Sequence, residues 1–165
     1  MNPAPTQLHP WIAAQRGRLA GQNYTIFDAP DPFIAMAARH SGFELLKFGN
    51  VDTFFVFSQF PELDLEGLRA FSSRSFAWAN RNKGVNLPNG FFEAVTCFTV
   101  AVTDVAHPAL QEAVRNGVPE KHWGAFEIPV VYETSRNVLY YFEKTPLWGA
   151  AYYNGFRNQI KSKLF

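Results

Sequence analysis

Apolar residues recur every three to four positions in five stretches of the chain, as they do along one face of an α-helix. Four of these stretches begin at a proline. Proline suits the first turn of a helix, because the N–H groups of that turn have no hydrogen-bond partner within the helix and the missing N–H of proline is not needed. The fifth begins after Asp64, whose carboxylate can accept hydrogen bonds from the first free N–H groups. The predicted helices cover residues 10–19, 32–42, 64–83, 108–117 and 146–163.

Other segments carry apolar residues at alternate positions or in short runs, which is typical of β-strands. The segment 92–103 is apolar at both alternating sets of positions, so it is predicted to be a central strand covered on both faces. Pro129 cannot donate a ladder hydrogen bond, so its strand is predicted at an edge or a bulge. The predicted strands cover residues 24–27, 43–48, 53–60, 92–103, 125–133 and 138–144.

Two pairs of these strands are predicted to form hairpins, one around Gly49-Asn50 and one around residues 134–137. The whole chain, 1–165, is therefore predicted to be a single α+β domain with flexible residues 1–8. Its sheet is expected to be largely antiparallel, built from two hairpins and a long central strand, with about five helices packed on it. A doubly wound parallel fold fits less well, since it requires strands that alternate singly with helices.

Composition supports a globular domain, because 47% of the residues are hydrophobic and only 18% are charged. Fifteen Lys and Arg residues nearly balance fourteen Asp and Glu residues, which disfavours a nucleic-acid-binding protein. The longest apolar stretch, 91–105, contains Glu93 and Asp104, and the chain begins with no basic region before an apolar run. No export signal or membrane span is therefore predicted, and a cytoplasmic location is expected.

Several motifs of enzyme and metal chemistry are missing from the sequence, namely HExxH, GxSxG, GxxxxGK[ST] and GxGxxG. No cofactor and no metal site is predicted, since no two histidines stand three or four apart on one helix. The single cysteine, Cys97, is interpreted as a buried thiol. His9 and His107 precede helix-starting prolines and are interpreted as caps, and His40 as the end of a helix.

The densest group of reactive side chains surrounds the last predicted hairpin. If Ser135 and Arg136 are its central turn residues, Glu127 faces Lys144. Such side chains beside two tryptophan rings can bind an anionic or aromatic ligand, or position a general base. The simpler alternative is a surface Glu–Lys pair worth at most about 1 kcal/mol. The candidate pocket comprises Lys121, His122, Trp123, Glu127, Glu143, Lys144, Trp148 and Tyr152.

Two functions stay open at this point. The first is a self-associating cytosolic binding or protein-interaction domain without a catalytic centre, using the aromatic run at 54–57 or the tyrosines of the last hairpin and helix. The second is a small enzyme or ligand-binding protein that uses His122, Glu127 and Lys144. A metal-dependent nuclease is its most concrete version. That chemistry needs an acidic residue two positions before a lysine, whereas Glu143 and Lys144 are adjacent and point to opposite faces of a regular strand.

Overall fold

The structure is a computed structural model that describes residues 7–44, 49–84, 93–147 and 150–165. No helix in these ranges combines the length and the apolar character that crossing a membrane requires. The elements in chain order are α1 (Pro10–Ala20), β1 (Thr25–Asp31), β2 (Ile34–Glu44), β3 (Gly49–Phe60), α2 (Leu65–Arg81), β4 (Glu93–Thr103), α3 (Pro108–Asn116), β5 (Glu120–His122), β6 (Ala125–Glu133), β7 (Val138–Tyr140) and α4 (Ala150–Leu164).

The seven strands form one mixed sheet in the order β1-β2-β3-β4-β6-β5, and β7 also pairs with β6. Four of the pairings are antiparallel, which confirms the prediction of a mostly antiparallel sheet with mixed α/β content. The two central pairings, β3–β4 and β4–β6, are parallel. They are parallel because α2 and α3 each lie between consecutive central strands and carry the chain back across the sheet.

Helices cover both faces of this sheet. On one face, α1 and α4 pack on side chains such as Phe55 and Phe98, whose rings stack 4.6 Å apart. On the other face, α2 and α3 pack on Phe54 and neighbouring residues. The prediction of a central strand covered twice is confirmed for β4. The aromatic run at 54–57 is fully buried within one chain and therefore offers no surface for self-association.

The prediction of a helix that begins at Pro32 is wrong. Residues 34–44 form β2, which pairs with β1 after a turn and with β3 along nine residue pairs. Because β2 is buried on both faces between Ile34 and Ala38, apolar residues occupy adjacent positions, and such a run is easily mistaken for one face of a short helix. The structure accordingly has four helices in the described residues instead of about five.

The turn of the first hairpin does not lie at Gly49-Asn50, where it was predicted. Gly49 and Asn50 belong to β3, where they pair with Glu44 and Phe43. The connection must therefore fall at residues 45–48, which lie outside the described residues. Residues 1–6 of the predicted flexible start also lie outside them, and Leu8 packs against the core.

The second hairpin has the predicted register, since Tyr132 pairs with Leu139 and Glu133 with Val138. However, β7 ends at Tyr140, so the predicted pair of Glu127 with Lys144 does not form. Glu127 instead pairs with Glu120 of β5.

β5 and β7 both pair with the edge of β6 that does not face β4, and Pro129 lies in the stretch of β6 between these two pairings. β5 pairs with residues 125–127 and β7 with residues 131–133, so residues 128–130 have no strand partner on that side within the described chain. β6 is thus not an edge strand, as predicted from Pro129, but an internal strand with a local gap at this residue. The missing N–H of proline leaves a gap in the sheet at this point.

Candidate functional site

Three side chains converge on the short hairpin formed by β5 and β6. Glu120 and His122 are two residues apart on β5, so they project from the same face of the sheet. Glu127 of β6 lies directly opposite Glu120 and therefore shares that face. The hairpin closes through Trp123-Gly124, where Gly124 adopts a φ of 66° that favours glycine.

The distances within this group are those of a compact polar cluster. The His122 Nε2 lies 3.1 Å from the Glu127 Oε2 and 4.0 Å from the Glu120 Oε1. One ligating atom from each of the three residues lies within 4.8 Å of the others. Phe76 of α2 stacks on the His122 ring at a centroid distance of 4.2 Å, which holds the imidazole in this orientation.

Glu127 is the buried member of the cluster, with only 6% of the residue exposed. Within the described residues its carboxylate has a single hydrogen-bonding side chain, His122. Across the sheet it neighbours Cys97 of β4, which is fully buried as predicted. Burial and the nearby charge of Glu127 raise the pKa of the Cys97 thiol well above its usual value, so this cysteine stays protonated.

A cavity of about 360 Å³ adjoins the cluster and is lined by both Glu120 and Glu127. Its other walls come from α2, the end of α3 and the segment after β7. Pro129 lines it too, because the gap in the sheet opens at this residue. Hydrophobic side chains make up most of the walls, and Arg69 and Ser72 of α2 add polar groups.

Comparisons of the chain with protein-family models, curated proteins and solved structures found no match.

The structure divides the predicted pocket residues among several places. His122 and Glu127 meet, and Trp123 projects from the hairpin tip with 77% exposure. Lys121 alternates to the opposite face from its two neighbours, since it pairs with Phe126. It therefore does not face the cluster.

The remaining predicted residues follow β7. Exposed Glu143 forms an ion pair of 3.3 Å with Arg115, and Lys144 is exposed in a segment that is not a strand. Trp148 lies outside the described residues. Tyr152 is 44% exposed on α4, where Tyr153 takes the buried position instead.

The other histidines have separate surroundings. The His9 ring accepts a hydrogen bond from the Trp11 N–H, which confirms its capping role. His107 occupies the cap position of α3, but its side chain makes no capping hydrogen bond. His40 lies on β2 beside Tyr24 and not at a helix end.

Sequence reasoning missed Glu120, Phe76 and the cavity. Glu120 carries a recognisable signal, because an acidic residue two positions before a histidine on a strand shares its face. Phe76 and the α2 wall have no such local signal, since they are brought to the hairpin only by the packing of α2 on the sheet.

The cluster is chemically suited to hold a positive charge. Two carboxylates directly opposite each other on an antiparallel pair repel, unless a cationic group lies between them. A protonated imidazole, a cationic ligand or a metal ion can supply that charge.

Proposed function

We propose that this protein binds a small molecule in the cavity beside the β5–β6 hairpin. The observation that carries the proposal is the buried Glu127 carboxylate, which lines the cavity and has only His122 as a side-chain partner in the described chain. Buried carboxylates are costly unless they are fully paired, so an incomplete set of partners beside a cavity favours a ligand-binding role.

The size and lining of the cavity limit the class of ligand. A volume of about 360 Å³ lies at the lower end of the range for small-molecule sites. Leu68, Val114 and Phe142 offer apolar contacts, whereas Glu120 and Glu127 form a negatively charged end. A small ligand with an apolar body and a cationic or hydrogen-bond-donating end is complementary to the apolar walls and the two carboxylates, and Arg69 can donate to an acceptor group on the same ligand.

The geometry favours ligand binding over the nuclease alternative. Lys121 points away from the two carboxylates, and Glu143 is engaged by Arg115. Lys121 therefore does not stand beside the carboxylate pair, where a lysine would be needed to activate a water molecule.

A thermal-shift screen of small amines and amphipathic metabolites, performed with EDTA present, tests this proposal. Ser73 lines the cavity from an exposed position on α2, so Ser73→Phe should obstruct the cavity and leave the core intact. Ala70→Phe places the same ring at an exposed position of α2 outside the cavity lining and is the matched control. We expect a ligand whose Kd rises at least about tenfold in Ser73→Phe and not in Ala70→Phe, a cost of about 1.4 kcal/mol.

The proposal fails if no compound raises the Tm. It also fails if every compound that does so binds equally well to Ser73→Phe.

A second candidate function is self-association at the β5 edge, which is favoured by the exposed Trp123. β5 is the last strand in the sheet order, and Trp123 and Val118, both large and exposed, flank it in sequence. Open strand edges beside aromatic residues are common association surfaces. Sedimentation velocity should then show a dimer that Trp123→Ala dissociates, whereas Phe43→Ala, which removes an exposed ring from β2, leaves it intact.

A further inference from the structure

We propose that Glu120, His122 and Glu127 together bind a divalent transition-metal ion of the zinc type. This inference deepens the proposed ligand site but requires no organic ligand, so the two proposals can fail separately.

The distances between the donor atoms are close to those between the ligands of a zinc ion, so only small side-chain rotations are needed to form the site. Two ligand atoms about 2.1 Å from a tetrahedral zinc ion lie about 3.4 Å apart. The His122 Nε2 is 3.1 Å from one carboxylate oxygen and 4.0 Å from the other, which brackets this distance. Because the Glu120 side chain is 70% exposed, it can rotate the short distance that closes the set.

The types of donor select the class of metal. One imidazole with two carboxylates suits Zn²⁺ and similar ions, whereas Mg²⁺ and Ca²⁺ prefer sites built from oxygen alone. Three protein ligands also leave a fourth coordination position, as in zinc sites that bind water or substrate. Since Glu120 and Glu127 both line the cavity, that position can be reached from it.

A simple histidine–glutamate ion pair explains the cluster less completely. One protonated imidazole carries a single positive charge, but two carboxylates face each other across β5 and β6. Glu127 is more than nine-tenths buried, and its second oxygen has no side-chain partner in the described residues. A divalent cation bound between the two carboxylates balances both charges.

The support around the cluster resembles that of a preorganised site. Phe76 stacks on the imidazole, and the hairpin turn at Gly124 sets the positions of Glu120 and His122 relative to Glu127. Holding ligands in place before binding reduces the entropy that metal binding must overcome.

Isothermal titration calorimetry of the full chain, stripped with EDTA and titrated with ZnCl₂, tests the inference. We expect one Zn²⁺ per chain, with binding weakened at least about tenfold in His122→Ala and in Glu120→Gln, and no competition from excess Mg²⁺. His107→Ala is the matched control, because it removes an exposed imidazole that lies outside the cluster. Saturating Zn²⁺ should also raise the Tm of the parent chain by several degrees and that of Glu120→Gln by less.

Glu120→Gln keeps this test valid, since an exposed side chain can be changed without disturbing the core. The inference is overturned if Zn²⁺ does not bind, or binds Glu120→Gln and His122→Ala as tightly as the parent chain. It is also overturned if His107→Ala loses binding to the same extent, which indicates adventitious surface histidines. An organic ligand that binds in EDTA while Zn²⁺ does not would refute the metal site and leave the proposed function standing.

Discussion

Each end of β6 buries a glutamate, but the two carboxylates differ in how many hydrogen-bonding partners they have. Glu133, at the carboxyl end, is 2% exposed and has a full set of partners. The Tyr140 hydroxyl donates to one of its oxygens at 2.6 Å, and the Ser135 hydroxyl and the Arg136 guanidinium approach the other at 3.2 and 3.9 Å. Glu127, at the amino end, has one hydrogen-bonding side-chain partner among the described residues and faces a second carboxylate.

This difference separates a structural carboxylate from a candidate functional one. Glu127 and Glu133 are six residues apart, so they lie on the same face of the same strand. The partners of Glu133 all come from its own hairpin, which closes the network without any ligand. The Glu127 end adjoins a cavity and has no comparable network among the described residues, and proteins often retain destabilised groups for function.

Substitution of Glu133 should have the largest effect on stability. We expect Glu133→Gln to lower the free energy of unfolding by roughly 2–3 kcal/mol, because it breaks charge-assisted hydrogen bonds in a buried network. Urea denaturation measures this loss. As a control, Glu143→Gln at an exposed ion pair should change stability by less than about 0.5 kcal/mol. A Glu133 variant as stable as the control would show that its network does not stabilise the fold.

Removal of a single partner of Glu133 should lower the free energy of unfolding by less than substitution of Glu133 itself. Tyr140→Phe keeps the ring under the Arg115 guanidinium but deletes the hydroxyl that donates to Glu133. We expect a loss of about 1–2 kcal/mol by the same denaturation experiment. A change of less than about 0.5 kcal/mol would contradict this role for the hydroxyl.

Substitution of Glu127 by glutamine directly tests the difference between the two ends of β6. In the presence of EDTA, Glu127→Gln should change the free energy of unfolding by less than about 1 kcal/mol or raise it, because the repulsion from Glu120 is relieved. Equilibrium unfolding of Glu127→Gln beside Glu133→Gln measures the contrast. Equal losses in the two variants would make Glu127 a structural residue as well.

The smallest change is expected in the pH dependence of stability, and it can be followed through one acid with a raised pKa beside each of the two glutamates. Burial raises the pKa of Cys97 beside Glu127 and that of Tyr140 beside Glu133, and each neighbouring carboxylate adds to the effect. The folded chain therefore holds these protons when the unfolded chain, with ordinary values of 9.0 and 10.0, has begun to lose them. Stability should thus fall as the pH rises above 9 and fall more steeply above 10.

Denaturation curves from pH 8 to pH 11 check this expectation for the two groups separately. Cys97→Ala should flatten the part of the curve that begins near pH 9, and Tyr140→Phe only the part above pH 10. Identical slopes in the parent chain and both variants would mean that neither proton is held by the fold.

Elements that depend on near neighbours in the chain agree best with the sequence-based predictions. The Asp64 carboxylate accepts a hydrogen bond from the Gly67 N–H at 2.7 Å and starts α2 as expected. The register of β6 with β7 follows from its four-residue connection. In contrast, β2 was predicted as a helix, because a strand buried on both faces lacks the alternation that distinguishes it.

The sequence by itself determined where α2 and α3 begin, how the last hairpin is aligned, and that His122 and Glu127 lie close together in a reactive segment. Those features depend on caps and turns, in which the interacting groups are a few residues apart. Only the tertiary structure decided that α2 brings Phe76 and one cavity wall to the cluster, and that β3, β4 and β6 pair in parallel at the centre of the sheet. These contacts join segments that are far apart in the chain and depend on how much apolar surface each packing arrangement buries, which no local pattern of residues encodes.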